Sequence, residues 1–238
     1  MVALVILPGM DGTAQPRAEF VAALGSGIEP RVVSYPADRT EYGELEALAR
    51  AALPQDRPYV LLGESFSGPI AISIANSSPP QLIGLVLCAT FARSPRPVLG
   101  ALRSLLPLIP FGLAPIRLTS SLLVGRFASA PLLEAMRSTL AEVPMATLKA
   151  RIGAVLAVDV RPALAKIRVP VLYLRATEDR LVPRRCADAI AAAAAQTRIV
   201  DVEAPHFLLQ AAPTKAAAAV RSFIETLPQA AARPAIPS

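Results

Sequence analysis

Short apolar runs recur along this 238-residue chain and set its predicted architecture. Such runs are typical of strands that are buried within a sheet. Six strands are expected, near residues 2–7, 31–35, 59–63, 82–89, 169–174 and 198–202. Helices are expected between them, near residues 17–24, 42–53, 66–77, 183–195 and 214–226. This alternation predicts an α/β fold with a mostly parallel, doubly wound sheet of about six strands.

The alternation stops between residues 93 and 164. This segment is rich in Leu, Pro and Ala and has no strand pattern, so it predicts short helices that are interrupted where proline cannot continue them. The interrupting prolines are Pro107, Pro110, Pro115, Pro131 and Pro144. We therefore expect a helical lid at residues 93–164, inserted into a core of residues 1–92 and 165–227. The Pro/Ala-rich tail, residues 228–238, is expected to be disordered.

Composition fits a protein with one buried sheet. Apolar residues make up 53% of the chain, and the longest uncharged run of the predicted lid, residues 104–116, is shorter than the roughly 20 residues that span a bilayer. Cys88 lies in a predicted strand and Cys186 near the start of a predicted helix, and their spacing suggests neither a disulfide framework nor a metal site. The first apolar run has no basic segment before it. We expect a cytoplasmic protein with no transmembrane segment, metal or other cofactor.

Positive charge is concentrated in the predicted lid. Residues 93–151 carry eight basic and two acidic residues, and this net charge of +6 equals that of the whole chain. Such a field attracts acidic partners, so an acidic substrate, an acidic carrier protein or an anionic membrane surface is a candidate, and a solvated basic face is the alternative. Nucleic acid is not expected, because no binding motif is present. The candidate binding arginines are Arg93, Arg96, Arg103, Arg117, Arg126 and Arg137.

The strongest chemical signal is the segment Gly-Glu-Ser-Phe-Ser-Gly at residues 63–68, between a predicted strand and a predicted helix. A serine on such a tight turn, with compact residues two positions away on each side, is the pattern of a nucleophile elbow. Gly63 meets that requirement, and Ser67 stands where glycine is usual. The motif alone is equally compatible with a turn that has no chemistry.

A histidine and an acidic pair follow two later predicted strands. His206 is the only histidine in the chain and follows the strand at 198–202, while Glu178-Asp179 follows the strand at 169–174. Parallel strands bring their carboxyl ends to one edge of the sheet, so these groups can converge on Ser65. Histidine titrates near neutrality and can take the proton of a serine, and a carboxylate can orient the imidazole. The order serine, acid, histidine therefore predicts a catalytic triad.

A loop after the first strand supplies the remaining requirement of acyl transfer. Two backbone N–H groups must face the oxyanion that forms in the transition state. Phe66, directly after the serine, is the first predicted donor, and Met10 is the second. Met10 lies in Pro8-Gly9-Met10-Asp11-Gly12-Thr13, where the glycines allow the loop to bend toward the site.

These motifs resemble those of small bacterial serine esterases in the α/β-hydrolase superfamily, which begin with Leu-Pro-Gly-Met-Asp-Gly-Thr and carry Gly-Glu-Ser-Phe-Ser-Gly. The two motifs stand here at residues 7–13 and 63–68, and the resemblance extends to residues 176–183 and 205–207. It implies the α/β-hydrolase fold and a Ser–His–Asp hydrolase of esters or thioesters. It also implies Asp179 as the acid, rather than Glu178, Asp159 or Asp201, because Asp179 matches the family's aspartate shortly before Val182-Pro183.

Three functions remain open from the sequence. The first is a serine hydrolase of carboxylic esters with an apolar acyl group, acting through an acyl-enzyme. The second is an esterase or thioesterase for acyl groups on acyl carrier protein, because relatives of this kind cleave pimeloyl-carrier methyl esters and hold the acidic carrier with lid arginines. The third is a binding protein with a hydrolase fold and no catalysis, which the combination of Ser65, Asp179 and His206 disfavours.

Overall fold

The computed structural model describes residues 1–13, 17–100 and 116–228, with the side chains of residues 116–118 excepted. Several sequence predictions concern residues outside these ranges. These residues are the predicted helix breakers Pro107, Pro110 and Pro115, the predicted binding residues Arg103 and Arg117 (side chain), and residues 229–238 of the tail.

Six parallel strands form one sheet in the described part of the chain, which confirms the predicted fold class. The strands lie in the order β2-β1-β3-β4-β5-β6, and each neighbouring pair is parallel. Their bounds are β1 Val2–Leu7, β2 Ile28–Val32, β3 Tyr59–Glu64, β4 Leu82–Cys88, β5 Val171–Ala176 and β6 Thr197–Val202. The central strands β1, β3 and β4 are almost wholly buried, whereas the edge strands β2 and β6 are half-exposed. The apolar runs therefore predict the central strands best.

The edge strand β2 begins and ends three residues earlier than the sequence predicts. It contains Pro30, which an edge strand tolerates because its outer side has no partner. Beyond Val32 the regular strand ends, but two backbone hydrogen bonds to the core continue. The Val33 N–H still bonds to the Ile6 carbonyl at 2.9 Å, and the Tyr35 N–H bonds to the Gly12 carbonyl at 2.8 Å. The apolar residues predicted as strand thus continue past it toward the loop after β1.

Helices cover both faces of the sheet. The described helices are α1 Ala18–Ala23, α2 Tyr42–Ala51, α3 Gly68–Asn76, α4 Ile116–Leu123, α5 Ala130–Ala141, α6 Met145–Ala157, α7 Arg161–Leu164, α8 Arg185–Ala193, α9 Leu208–Ala211 and α10 Pro213–Thr226. One hydrophobic cluster joins α2, α3 and α8 to the odd-numbered residues of β1, such as Val5. The other joins α1, α9 and α10 to the even-numbered ones, such as Ile6. Burial of each such aliphatic side chain contributes about 1.5–3 kcal/mol.

The described residues between β4 and β5 contain the helices α4 to α7. The two ends of this segment meet at one place, where Arg93 and Asp159 form an isolated antiparallel bridge. The Ser94 N–H bonds to the Val158 carbonyl at 3.1 Å, and the Val160 N–H bonds to the Ala92 carbonyl at 2.7 Å. Backbone hydrogen bonds therefore join residues 92–94, which follow β4, to residues 158–160, which precede β5. We call residues 93–164 the insertion.

Prolines start the described helices of the insertion instead of interrupting them. Pro131 lies in the first turn of α5, and Pro144 directly precedes α6. A proline has no N–H to donate, and the first turn of a helix needs none. Of the described helices, none is long and apolar enough to cross a bilayer.

Candidate active site

The serine of the predicted elbow occupies a strained backbone position directly after β3. Ser65 has a φ of 48°, in the left-handed region that L-residues rarely adopt. A short 3₁₀ turn, Ser65–Ser67, then leads into α3. Side chains at two neighbouring glycines would collide with the turn. A Cβ at Gly63 would lie 2.7 Å from the Ala71 Cβ, and a Cβ at Gly68 would lie 1.9 Å from the Thr90 Oγ1.

Three side chains from the carboxyl ends of three strands form a continuous hydrogen-bonded chain. Ser65 Oγ lies 2.8 Å from His206 Nε2, and His206 Nδ1 lies 2.8 Å from Asp179 Oδ2. The other carboxylate oxygen, Asp179 Oδ1, accepts hydrogen bonds from the backbone N–H groups of Leu181 and Val182, both at 2.8 Å. Both oxygens of Asp179 are therefore held in place, and the imidazole bridges the carboxylate and the serine.

The environment of His206 favours its acceptance of a proton. The imidazole is only 7% exposed, and this burial by itself lowers its pKa. The carboxylate of Asp179 acts in the opposite direction through charge and hydrogen bonding, with a smaller contribution from Glu64. The net effect raises the pKa of His206 above its ordinary value of 6.5. A raised pKa makes the neutral imidazole a stronger base toward Ser65.

The other carboxylates that the sequence offered as acids lie in exposed ion pairs. Glu178 pairs with Arg126 at 3.4 Å, Asp159 with Arg161 at 2.6 Å, and Asp201 with Arg175 at 2.5 Å. Of the four candidates, Asp179 is the one that the structure brings to His206.

The two predicted oxyanion donors lie on the expected backbone segments. Phe66 is the second residue of the 3₁₀ turn, and the first N–H groups of a helical turn have no acceptor within it. Its ring is fully buried and stacks on Tyr42, with the centroids 4.8 Å apart. Met10 lies in the loop of residues 8–13, which we call the oxyanion loop after the role predicted for Met10. The Gly9 carbonyl there accepts a hydrogen bond from Gly12 N at 3.1 Å.

Serine at position 67 has a structural reason that the sequence did not reveal. The Ser67 hydroxyl is fully buried and donates a hydrogen bond to the Pro8 carbonyl of the oxyanion loop. It also lies 2.9 Å from the Tyr35 hydroxyl. A glycine at this position could make neither contact. The departure from the usual glycine therefore connects the elbow to the loop that carries Met10.

A buried ion cluster next to Ser65 was also missed by sequence reasoning. Arg17 is 1% exposed, donates to the carboxylate of Glu64, and pairs with Asp11 Oδ1 at 3.1 Å. Gln210 Nε2 donates to the other oxygen of Glu64 at 3.2 Å. Burial opposes the charge on Arg17, but the two carboxylates outweigh burial and raise its pKa. Removing one partner from such a buried pair costs about 3–5 kcal/mol, so this cluster fixes Asp11 of the oxyanion loop relative to the elbow.

The predicted binding arginines with described side chains lie on the surface and are engaged with the protein. Arg126 pairs with Glu203 at 2.8 Å and Glu178 at 3.4 Å, Arg93 with Asp159 at 3.9 Å, and Arg137 with Glu134 at 3.7 Å. Arg96 donates to the Arg180 carbonyl at 3.0 Å. Each of the three paired arginines keeps at least half of its side chain exposed, so it can still attract an anionic partner.

The interior of the insertion packs on the loop that carries His206. Val124, Leu132 and Met136 form a small apolar cluster with Phe207 and Ala211. The Phe207 N–H also bonds to the Leu123 carbonyl at 3.2 Å, and Arg180 Nη1 donates to Ser121 Oγ at 2.7 Å. The insertion therefore covers the chain on either side of the site and supplies apolar surface next to it.

Comparisons with known proteins agree with this fold. Residues 4–220 match the sequence profile of the alpha/beta hydrolase family. The fold is similar to a hydrolase from Oleispira antarctica (TM-score 0.81, 14% identity, 95% of this chain and 92% of that one). It is also similar to a lipase-esterase related protein from Clostridium acetobutylicum (TM-score 0.77, 14% identity, 93% of each chain).

A curated relative matches only in part. Phytyl ester synthase 1, a chloroplastic protein of Arabidopsis thaliana, is 34% identical over 116 residues, which is 44% of this chain and 16% of that protein. This chain thus spans a small part of that relative's length, whereas the family profile covers most of this chain. The match over residues 4–220, together with the six-stranded parallel sheet, shows that this chain belongs to the α/β-hydrolase family.

Proposed function

We propose that this protein is a carboxylic ester hydrolase with Ser65 as nucleophile, His206 as general base and acid, and Asp179 as the group that orients and stabilises the imidazole. The observation that carries the proposal is the hydrogen-bonded chain from Ser65 Oγ through His206 to Asp179, with 2.8 Å at each step. Its serine stands on a strained turn after β3, and the residue is partly exposed.

The first half-reaction forms an acyl-enzyme. Ser65 Oγ attacks the ester carbonyl carbon while His206 Nε2 takes the serine proton, and the carbonyl oxygen becomes an oxyanion. The N–H groups of Phe66 and Met10 are the donors we assign to that oxyanion. The carbon–oxygen bond to the alcohol then breaks, and His206 returns the proton to the departing alkoxide. Asp179 stabilises the imidazolium in both steps without taking its proton.

The second half-reaction returns the enzyme to its starting state. A water molecule gives a proton to His206 and attacks the acyl carbon, and the same two N–H groups stabilise the new oxyanion. Collapse of this intermediate breaks the bond to Ser65 Oγ, which takes the proton back from His206. The products are the carboxylic acid and the free serine, so no cofactor is required by this scheme.

An apolar acyl group suits the surroundings of the site. The insertion next to the His206 loop contributes Leu123, Leu133 and Phe127 around its buried cluster, and Met10 in the oxyanion loop is a partly buried apolar side chain. A series of p-nitrophenyl esters from acetate to laurate tests this part of the proposal. We expect kcat/KM to rise with acyl length, and a preference for acetate would contradict an apolar acyl site.

Turnover by serine and histidine variants tests the assignment of the residues. Ser65→Ala and His206→Ala are each expected to remain folded and to lose about 10⁶-fold in kcat. Ser77→Ala is the matched control, because Ser77 ends α3 on the far side from the elbow. Ester hydrolysis at the wild-type rate by folded Ser65→Ala protein would overturn the proposal and favour a binding function for the hydrolase fold.

Acyl groups on an acidic carrier protein are a second candidate substrate class. The exposed guanidinium groups of Arg93, Arg126 and Arg137 on the insertion support this candidate, and they equally support an anionic membrane surface. The two candidates differ in the partner that delivers the ester and share the chemistry at Ser65. Charge variants of the insertion, assayed on a carrier-protein ester and on anionic vesicles, separate the two candidates.

A further inference from the structure

Arg151 is a buried cation that binds backbone carbonyls instead of a carboxylate. It lies on α6 of the insertion and its side chain has no exposed surface. Within the described part of the chain, it forms no ion pair. Its Nη1 donates to the Met10 carbonyl at 2.8 Å, and its Nη2 donates to the carbonyls of Pro36 at 2.9 Å and Arg39 at 2.8 Å.

Burying the charged guanidinium of Arg151 costs free energy, so its contacts must compensate for that cost. Burial lowers the pKa of Arg151, with only partial compensation from the charge of Asp11. An uncompensated buried charge is unfavourable unless its donors are satisfied, and here three backbone carbonyls accept four hydrogen bonds from the guanidinium. These carbonyls belong to two loops, one after β1 and one after β2. The guanidinium therefore crosslinks the two loops from the insertion that lies over them.

The oxyanion loop is shaped to receive this guanidinium. Gly12 has a φ of +76°, and a Cβ there would lie 2.9 Å from Arg151 Nη1 and 3.0 Å from the Tyr35 carbonyl. Glycine thus provides both the left-handed conformation and the space for the arginine. The Gly12 carbonyl in turn accepts the Tyr35 N–H at 2.8 Å. The loop is fixed by contacts at Gly12 and at Met10.

These contacts determine the direction of the Met10 N–H group. The peptide units on both sides of Met10 are restrained: the Gly9 carbonyl bonds to Gly12 N at 3.1 Å, and the Met10 carbonyl bonds to Arg151. Within the described residues every peptide bond is trans. The Met10 N–H therefore points away from the Gly9 carbonyl. Restraint of both units restricts the orientation of this N–H, as a preorganised oxyanion donor requires.

We infer that Arg151 is a positioning residue that holds the oxyanion loop, and with it the Met10 N–H, in the orientation needed for the transition state. The inference rests on the proposed ester hydrolysis. It makes the insertion part of the catalytic apparatus, because α6 supplies the group that fixes a loop of the core. Loss of Arg151 should then weaken transition-state stabilisation while substrate binding stays nearly intact.

Two variants and a matched control test this role. Arg151→Met removes all donors, and Arg151→Lys keeps one charge but cannot reach three carbonyls at once. Thr147→Val is the control, because Thr147 also lies on α6 and donates to the Ala37 carbonyl of the loop after β2 at 2.7 Å, whereas the Met10 carbonyl is bonded by Arg151. For each folded variant, kcat and KM are measured with a neutral ester. The affinities for an alkyl boronic acid, which forms a tetrahedral adduct on serine, and for the amide analogue of the ester are measured in parallel.

We expect Arg151→Met to lower kcat by about 10- to 100-fold, less than or equal to the loss of a whole oxyanion donor. KM and amide affinity should change by less than about threefold, and boronic acid affinity should fall with kcat. Arg151→Lys should restore part of kcat near neutral pH and lose it as the pH rises, since burial lowers the pKa of a lysine. Thr147→Val should leave the ratio of boronic acid to amide affinity unchanged.

A different pattern would overturn the inference. That pattern is wild-type kcat in folded Arg151→Met, or wild-type kcat in folded Arg151→Lys at every pH. An equal loss of boronic acid and amide affinity, or a kcat loss as large in Thr147→Val, would overturn it too. Should Arg151→Met fail to fold, the lysine variant decides by the same measurements. Absence of ester hydrolysis in the wild-type protein would instead overturn the proposed function, and the role of Arg151 with it.

Discussion

The Ser67 hydroxyl donates a hydrogen bond to the Pro8 carbonyl, across 59 positions of sequence, and joins the turn that carries Ser65 to the oxyanion loop. The elbow and the loop therefore do not move independently. Together with Arg17, which links Glu64 to Asp11, this bond connects the residues on both sides of Ser65 to the segment that carries Met10.

Ser67→Gly should restore the more usual elbow sequence and yet lower activity. The change leaves the Pro8 carbonyl without its donor and the Tyr35 hydroxyl without its partner, which costs about 1–3 kcal/mol in the free energy of unfolding. We expect kcat to fall by roughly 10-fold because the oxyanion loop is less well held. Urea unfolding and ester kinetics measure the two effects.

Tyr35→Phe is the control for this variant. It removes only the hydroxyl that faces Ser67 and leaves the bond from Ser67 to Pro8 intact. We expect a similar loss of stability with kcat close to wild type. A kcat loss in Tyr35→Phe as large as that in Ser67→Gly would show that the bond to Pro8 has no special role.

Asp179→Asn should lower kcat by about 10⁴-fold, because an amide favours the wrong tautomer of His206. Glu178→Gln is the adjacent control: its carboxylate pairs with Arg126 on the surface and lies outside the hydrogen-bonded chain. We expect less than about a twofold change there, as is usual for an exposed ion pair. A larger defect in Glu178→Gln than in Asp179→Asn would make Glu178 the acid.

The pH dependence of kcat/KM should report His206. The imidazole acts as a base only when it is neutral, so activity should rise with pH and level off above its pKa. Because Asp179 raises that pKa above 6.5, the midpoint should lie above 6.5. In Asp179→Asn the residual activity should have a lower midpoint, since the charge that raised the pKa is gone. A wild-type midpoint below 6.5 would contradict the assignment.

Charge variants of the insertion should separate the candidate partners. Replacing Arg93, Arg96 and Arg137 with glutamine should leave hydrolysis of a small neutral ester unchanged. It should raise KM for an acyl-carrier-protein ester, most strongly at low ionic strength, because exposed charges act through a screened field. Selective loss on anionic vesicles would favour a membrane surface.

The control removes the same charge from the opposite edge of the sheet. Arg57, Arg168 and Arg198 precede or begin strands at their amino ends, away from the site. Their replacement with glutamine should change no KM. If both triple variants raise KM equally, only the total charge of the protein matters. If neither variant changes KM, the arginines of the insertion form a solvated basic face that binds no partner.

The sheet and the positions of Ser65, Asp179 and His206 after its strands could be predicted from the sequence, because local patterns encode them. Buried strands such as β3 appear as apolar runs, and the short turn around Ser65 requires compact neighbours such as Gly63. The single histidine and Asp179 then follow predicted strands whose carboxyl ends must meet. The strand β2 lies three residues earlier than the sequence predicts, because the apolar run continues beyond the residues that pair with β1.

The side chains that hold the loops around the site, such as Arg17 and Arg151, could not be predicted, because their positions depend on tertiary contacts. Nothing near Arg17 in sequence shows that it faces Glu64, 47 positions away. Arg151 counts as one of eight charges in the basic segment, yet the structure buries it. Its partners are backbone carbonyls, which no residue type reveals.

The most direct test of the account is covalent labelling of Ser65 by an alkyl fluorophosphonate. The serine oxygen should displace fluoride while His206 takes its proton, which leaves one phosphonyl group per chain. Mass spectrometry of the intact protein and of its peptides should place that group on Ser65 in the wild type and in Ser77→Ala, and find none in Ser65→Ala. A label on another residue, or an unlabelled wild-type protein that still hydrolyses esters, would contradict Ser65 as the nucleophile.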